Sequence, residues 1–239
     1  VVAEVALAFV LLVGSGLLIR SFFGLLNVDP GFNATNLLTL RLPASRKEYP
    51  DPDRFNTYLR QIRSAVENLP GVQEAAFTSA LPLQGWAYGA AFAPPEQVSL
   101  PRAERPIGFY KMVSPSYFHA LGLQVRSGRG LTDHDTKGAP PMLVINETVA
   151  RRYFANQNPV GQRILIPESR PGVTELGPDI PWQVAGVIAD EKINALDDQK
   201  SAGVYVSSEQ SPVYGPSLAV RTTANPRLLE RAIRKAIAD

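Results

Sequence analysis

The chain opens on VVAEVALAFVLLVGSGLLIRSFFGLL, where residues 5–19 carry no charge and Ser15 is their one polar side chain. Coiled as a helix at 1.5 Å per residue, these 26 residues would reach ~39 Å, enough to cross a ~30 Å hydrocarbon layer. A signal peptide would show a basic leader and a small-residue cleavage site, and neither is present. A buried core helix would be shorter and apolar on one side only. The pattern predicts an uncleaved membrane span over 1–26. Glu4 and Arg20 bracket its apolar run and are expected to snorkel to the two interfaces. Arg20 alone sets no orientation. A chain that starts inside a span, without Met, is expected to be an internal piece of a longer polypeptide.

The pattern then changes period. After the turn formers Asn27 to Phe32, the residues Leu38, Leu40 and Leu42 alternate on one face of a predicted strand. Asp51 and Pro52 signal a helix start, and Phe55, Tyr58, Leu59, Ile62, Ala65, Val66 and Leu69 form an apolar stripe that Pro70-Gly71 ends. Val72 to Thr78 resumes as a strand, which completes a β-α-β unit. Near the other end, Ser217 to Thr222 reads as a strand and Asn225-Pro226 as a helix start. Leu228, Leu229, Ala232, Ile233, Ala236 and Ile237 make a second stripe. The two ends are thus expected to be related β-α halves of one layer, the second without the closing strand of the first.

The middle has another texture. Residues 84–106 are rich in Gly, Pro and Ala and are predicted to be irregular or an extended edge. A short helix ended by Gly122, a strand at 142–145, a helix capped by Asn146, and strands at 163–166, 183–188, 203–206 and 108–113 follow the local patterns. The fold class expected is α+β: an N-terminal transmembrane helix (1–26), the first half of a split β-α-β layer (27–83), an inserted mixed α+β subdomain (84–216) and the second half of the layer (217–239).

Composition narrows the function classes. The 24 basic and 22 acidic residues are spread evenly, 10 and 9 before residue 121 and 14 and 13 after it, so neither half is a nucleic-acid platform. With no cysteine, disulfides, thiolate metal sites and a Cys nucleophile are excluded. Metalloprotease, nucleophile-elbow, phosphate-loop and dinucleotide motifs are absent. His119 reads as packing or surface. Asp133-His134-Asp135 has metal-ligand chemistry, but neighbours in a polar loop point apart. Gly14-Ser15-Gly16 suits close helix approach, and Ser127-Gly128-Arg129-Gly130 reads as a tight turn. Asp190-Glu191 and Asp197-Asp198 are acid pairs expected in loops, without a defined cleft for acid–base work. Arg227, Arg231, Arg234 and Lys235 read as a solvated helix face. The residues therefore predict no catalytic, cofactor-binding or metal site and no enzyme.

The order of the segments adds a resemblance. LLIRSFFGLLNVDPGFNATNLLTLRL, then YPDPDRFNTYLRQIRSAVENLPGV, VSPSYFHALGLQVRSGRGLTDHD, VINETVARRYFANQNPVGQRI and VAGVIAD together resemble the MacB-like periplasmic core region of bacterial ABC transporter permeases, including the duplicated permeases of acidobacteria. The resemblance implies a first membrane helix leading into a periplasmic domain with a porter-like split layer and an inserted subdomain. It further implies a permease of the mechanotransmission type, in the inner membrane, with its soluble part in the periplasm. The implied partners are a separate or fused ABC ATPase, a second permease copy, and a periplasmic adaptor or substrate protein. No catalytic residue and no cofactor come with it. The alternatives are a single-span, membrane-anchored periplasmic sensor or solute-binding module, and a membrane-anchored hydrolase.

The span is testable by alkaline extraction and by external protease on spheroplasts. The protein is expected to stay in the membrane fraction while residues 27–239 are digested. Release into the soluble fraction contradicts the span, and protection of 27–239 contradicts the orientation.

Overall fold

The computed structural model describes residues 1–44, 47–84, 88–155, 157–168, 176–213 and 215–238. Helix α1 (Val2–Leu26) is continuous, long and apolar enough to cross a membrane, and buries none of its residues against the rest of the chain. Asn27 ends it, with its side-chain amide donating to the Phe23 carbonyl at 2.9 Å.

The two chain ends meet in one layer. Strand β1 (Leu37–Arg41) leads to α2 (Pro52–Glu67), where the Asp51 carboxylate accepts from the Asp53 amide at 2.9 Å and Pro52 occupies the first turn. Strand β2 (Val72–Thr78) follows the turn at Gly71, whose φ of +90° suits a residue without Cβ. Strand β10 (Ser217–Thr222) runs antiparallel between β1 and β2. Residues 226–238, expected from the sequence as one helix, are a 3₁₀ turn (Pro226–Leu228) capped by Asn225 and then α5 (Glu230–Ala238). The tighter turn satisfies the first orphan groups with i to i+3 bonds. Phe55, Leu59, Ile62 and Val66 of α2 and Ile233 of α5 bury against Phe77, Leu218 and Val220. The expected stripes are thus the core-facing sides of both helices.

The intervening segment continues the same sheet. Its strands are β3 (Tyr88–Ala91), β4 (Ile107–Val113), β5 (Val125–Gly128), β6 (Met142–Asn146), β7 (Arg163–Pro167), β8 (Asp179–Ile188) and β9 (Gly203–Ser207). Their order beyond β2 is β4-β9-β6-β8-β5, with β3 on β4 and β7 on β8. Helix α3 (Tyr117–Leu121) ends at Gly122 in the left-handed conformation, and α4 (Glu147–Tyr153) is capped by the Asn146 side chain. Within residues 84–106 lie the edge strand β3 and a pair of 3₁₀ turns, Pro95–Gln97 and Arg102–Glu104; residues 85–87 lie outside the described residues. Strand β5 corrects the reading of residues 127–130 as a tight turn. It is a wholly exposed, polar edge strand without apolar alternation, so no period-2 signal marks it.

The two faces of the sheet differ. On one, a single apolar cluster under α3 joins Ala76 and Ala219 of the first layer to Val113, Val144, Ile188 and Tyr205 of the continuation. On the other, the α2–α5 core and a second core around Leu143, Ile145, Val149, Ile164 and Trp182 are separate. Leu59 and Ile62 are each 4% exposed, so truncating either to Ala is expected to cost ~2–5 kcal/mol. Urea unfolding checks this, and a loss under ~1 kcal/mol contradicts the packing described.

Candidate functional site

Ten residues separate the membrane helix from the first strand, and four of them, Pro30, Asn33, Thr35 and Asn36, are hydrogen-bonded through their backbone to β10, α3 or the loop after β8. Asp29 closes a turn by accepting from the Gly31 amide at 2.9 Å. The Lys192 amide donates to the Pro30 carbonyl at 2.9 Å, and the Asn33 amide donates to the Leu121 carbonyl at 2.8 Å. The Thr222 amide and hydroxyl both reach the Asn36 carbonyl, at 3.0 and 3.1 Å. Arg221 of β10 supplies the fork that ties these together. It donates to the carbonyls of Thr35, of Asn33 at 2.6 Å, and of Ala120 in α3 at 2.9 Å. Burial of this guanidinium pushes its pKa below the ordinary value.

Gly31 decides how closely the linker approaches. Its φ is +80°, and a Cβ there would stand 2.1 Å from the Asp190 carbonyl oxygen. Linker and loop therefore touch backbone to backbone, and only glycine permits it.

The loop that receives the linker is anchored by two adjacent carboxylates. Asp190 accepts from the Thr148 amide at 2.9 Å, the Thr148 hydroxyl at 3.0 Å and Arg151 at 3.1 Å, which fixes the loop to the first turn of α4. Glu191 turns the other way, into the cluster under α3. Its carboxylate accepts from Lys111 at 2.6 Å, Tyr205 at 2.8 Å and Tyr117 at 3.0 Å. The Lys111 and Glu191 side chains are both fully buried. Lys111 also sits 5.6–6.0 Å from the ring centres of Phe109, Tyr117 and Tyr205. Burial pushes Lys111 below the usual lysine range, with Glu191 acting against the shift. Burial, followed by the Glu191 charge, holds the Tyr117 and Tyr205 phenols well above theirs. The set is a buried tie. Open space lies beside the linker, in a polar cleft of about 330 Å³ lined by Asp29, Arg126, Glu147, Asp190 and Lys200.

The residues weighed from sequence do not converge. His119 is exposed, 3.8 Å from Glu74. Asp133 faces Arg63 at 2.8 Å on the surface, whereas Asp135 is buried against Arg129 and the Thr132 amide. Burial alone would raise the Asp135 carboxyl, but those hydrogen bonds outweigh it and hold it below the usual range. His134 between them is exposed, and no three candidate ligands cluster among the described residues. Ser127 and Gly128 belong to β5. Asp198 gives its carbonyl to the Lys192 ammonium. Arg234 pairs with Glu230 at 2.9 Å, and nothing lies within 4 Å of a Cβ built on Gly14 or Gly16. The acid pair Asp190-Glu191 is in a loop as expected, but it is buried and takes two sets of partners. Sequence reasoning misses Lys111, in the run Ile107-Gly108-Phe109-Tyr110-Lys111-Met112-Val113. A lysine inside such a run is the available signal.

The match over the whole length decides what this arrangement belongs to: the model of the MacB-like periplasmic core domain covers residues 5–236. The chain belongs to that family. The macrolide export ATP-binding/permease protein MacB of Aggregatibacter actinomycetemcomitans is 27% identical over 84 residues, which are 35% of this chain and 11% of that protein. The present chain thus spans a small fraction of that relative's length. The periplasmic region of MacB from Actinobacillus actinomycetemcomitans shares the fold, with a TM-score of 0.55 at 15% identity over 89% of this chain and 86% of that one. The extracellular domain of the noncanonic ABC-type transporter YknZ from Gram-positive bacteria has a TM-score of 0.48 at 15% identity, over 84% and 88%. In this MacB-like domain the apolar N-terminal helix and the docked linker are one continuous feature.

Removing one member of the buried pair leaves the other charge unpaired. Glu191→Ala is expected to cost ~3–5 kcal/mol, whereas Lys111→Met with Glu191→Leu, Tyr117→Phe and Tyr205→Phe, which leaves none of the four polar groups buried without its partner, is expected to be near neutral or stabilising. Denaturant unfolding of both variants checks this. Equal losses in the two contradict a desolvated pair.

Proposed function

We propose that this domain is the periplasmic portion of an ABC transporter permease and that it transmits displacement between its membrane helix and its periplasmic surface. The supporting observation is the docked linker. A helix joined through a slack tether could move without the sheet; here Arg221, Lys192 and Thr222 hold residues 30–36 to the sheet by backbone-directed bonds. Movement of α1 along or about its axis is therefore passed to β10, α3 and the loop at 190–192. In this reading the chain performs no chemistry. ATP hydrolysis belongs to a cytoplasmic ATPase, and α1 lies in the inner membrane with the domain in the periplasm. A second permease copy and a periplasmic adaptor or substrate protein complete the assembly. The absence of a convergent polar site among the residues above fits a relay better than a hydrolase, and the solute-binding alternative has only the open cleft beside the linker in its favour.

The test replaces Gly31 in the full-length transporter, reconstituted with its ATPase. Gly31→Ala drives a Cβ into the Asp190 carbonyl and should undock the linker while leaving the cores intact. Export is expected to fall by roughly 5–150-fold, the span of typical coupling free energies, with ATP hydrolysis retained. Gly138→Ala, where nothing lies within 4 Å of the new Cβ, should leave export unchanged. Full export by a folded Gly31→Ala transporter overturns the reading.

A further inference from the structure

The ten-stranded sheet is almost severed between β2 and β4. Those strands share one ladder pair, Thr78 with Val113, whereas β2 and β10 are in register along five positions and pair at a sixth beyond a bulge. The pair's two main-chain bonds, from the Ser79 amide to the Met112 carbonyl and from the Ser114 amide to the Phe77 carbonyl at 2.9 Å each, cross the seam, and beside them serine hydroxyls take the place of further ladder partners. Ser114 Oγ accepts from the Phe77 amide at 2.9 Å, and Ser79 Oγ accepts from the Met112 amide at 3.2 Å. Side-chain hydroxyls rotate, so such a seam bends more readily than a ladder.

The two faces across this seam are unlike. On the α3 face an apolar cluster spans it without a break. On the α2 face two separate cores stop on either side, and the contacts that cross between them are polar: the Asn56 side-chain amide donates to the Glu209 carbonyl at 3.5 Å, and three ion pairs lie beside it. Asp53, Arg60 and Arg63 lie along one side of α2. They meet Lys137 at 3.0 Å, Glu209 at 2.8 Å and Asp133 at 2.8 Å respectively. The facing loops are held as one body by Gln210, which donates to the carbonyls of Thr136 and Pro140 at 3.0 Å and accepts from the Met142 amide at 3.1 Å. A polar cleft of about 290 Å³ runs along this junction.

An apolar contact on one side and partly exposed ion pairs on the other make a hinge with a latch. Ion pairs with a solvent-exposed partner are weak and weaken further with salt, so three of them hold a closed state without locking it. Opening on this side leaves the α2 stripe packed on its own section of the sheet.

We propose that the β2–β4 seam is a hinge and that the ion pairs Asp53–Lys137, Arg60–Glu209 and Arg63–Asp133 are a salt-sensitive latch between the two sections of the sheet. The inference rests on the relay reading only for what the motion serves; whether the motion exists is measured without transport. The chain has no cysteine, so Ser64→Cys and His134→Cys, both exposed, place spin labels on either side of the latch. Distances are read by pulsed electron resonance in the membrane-embedded full-length protein.

Raising salt from 0.1 M to 1 M shortens the Debye length from ~10 to ~3 Å and is expected to populate a second, longer distance. Arg60→Glu with Lys137→Glu should populate it already at 0.1 M, and Arg60→Glu with Glu209→Arg should return the short distance. One unchanged short distance at both salt concentrations and in the charge-reversed protein, with near-ultraviolet dichroism showing it folded, overturns the hinge. Because no export is measured, a failure of the relay reading does not touch this result.

Discussion

A charged pair in the apolar layer, Lys111 with Glu191, fixes the loop that the linker from the membrane helix meets backbone to backbone. Burying either charge alone would cost several kcal/mol. The fold meets that cost with a 2.6 Å contact and two tyrosine hydroxyls. The consequence is positional. Glu191 enters the cluster under α3, Asp190 is drawn to the first turn of α4, and the backbone between them faces Gly31. The linker then has a fixed surface to lie on, and Arg221 closes it from the other side.

The same cluster under α3 is what makes the two sections of the sheet one body. The strands themselves barely connect there, since one ladder pair joins β2 to β4. Tyr117, Phe118 and Tyr205 packed over Ala76 and Ala219 add an apolar tie to the few main-chain and serine bonds at the seam, the ion pairs beside α2 and the linker. The linker is bonded to both: Arg221 and Thr222 lie on β10, and Lys192 follows β8. In the proposed relay, a displacement of α1 would act on either side of the seam.

Much of this is legible in the residues. The Asp51-Pro52 and Asn225-Pro226 starts and the stripes through Phe55 and Ile233 mark both helices of the first layer, because each signal is local: a cap, a fixed φ, a 3.6-residue period. Strand β5 is not legible, since an exposed edge strand held only by β8 needs no apolar alternation. The docking site is not legible either. Its residues lie at positions 31, 111, 190–192 and 221, and nothing in the local pattern around Arg221 says that its fork will meet Asn33. Lys111 alone gives a signal, as a lysine in a strand too apolar to have a wet face. Its partner Glu191 reads from the sequence only as half of an acid pair. That reading keeps the loop but misses that the two carboxylates point into different environments.

The account stands on the linker being integral to the folded domain rather than a tether, and amide hydrogen exchange on the membrane-embedded full-length protein measures that directly. The amides of Asn33, Lys192 and Thr222 are the donors of the docking bonds. They are predicted to exchange as slowly as those of β10 and β2, opening only with the domain. Fast exchange at these three positions, beside protected amides at 217–221 of β10 and in β2, would show a linker that is free while the sheet is intact, and would contradict that docking.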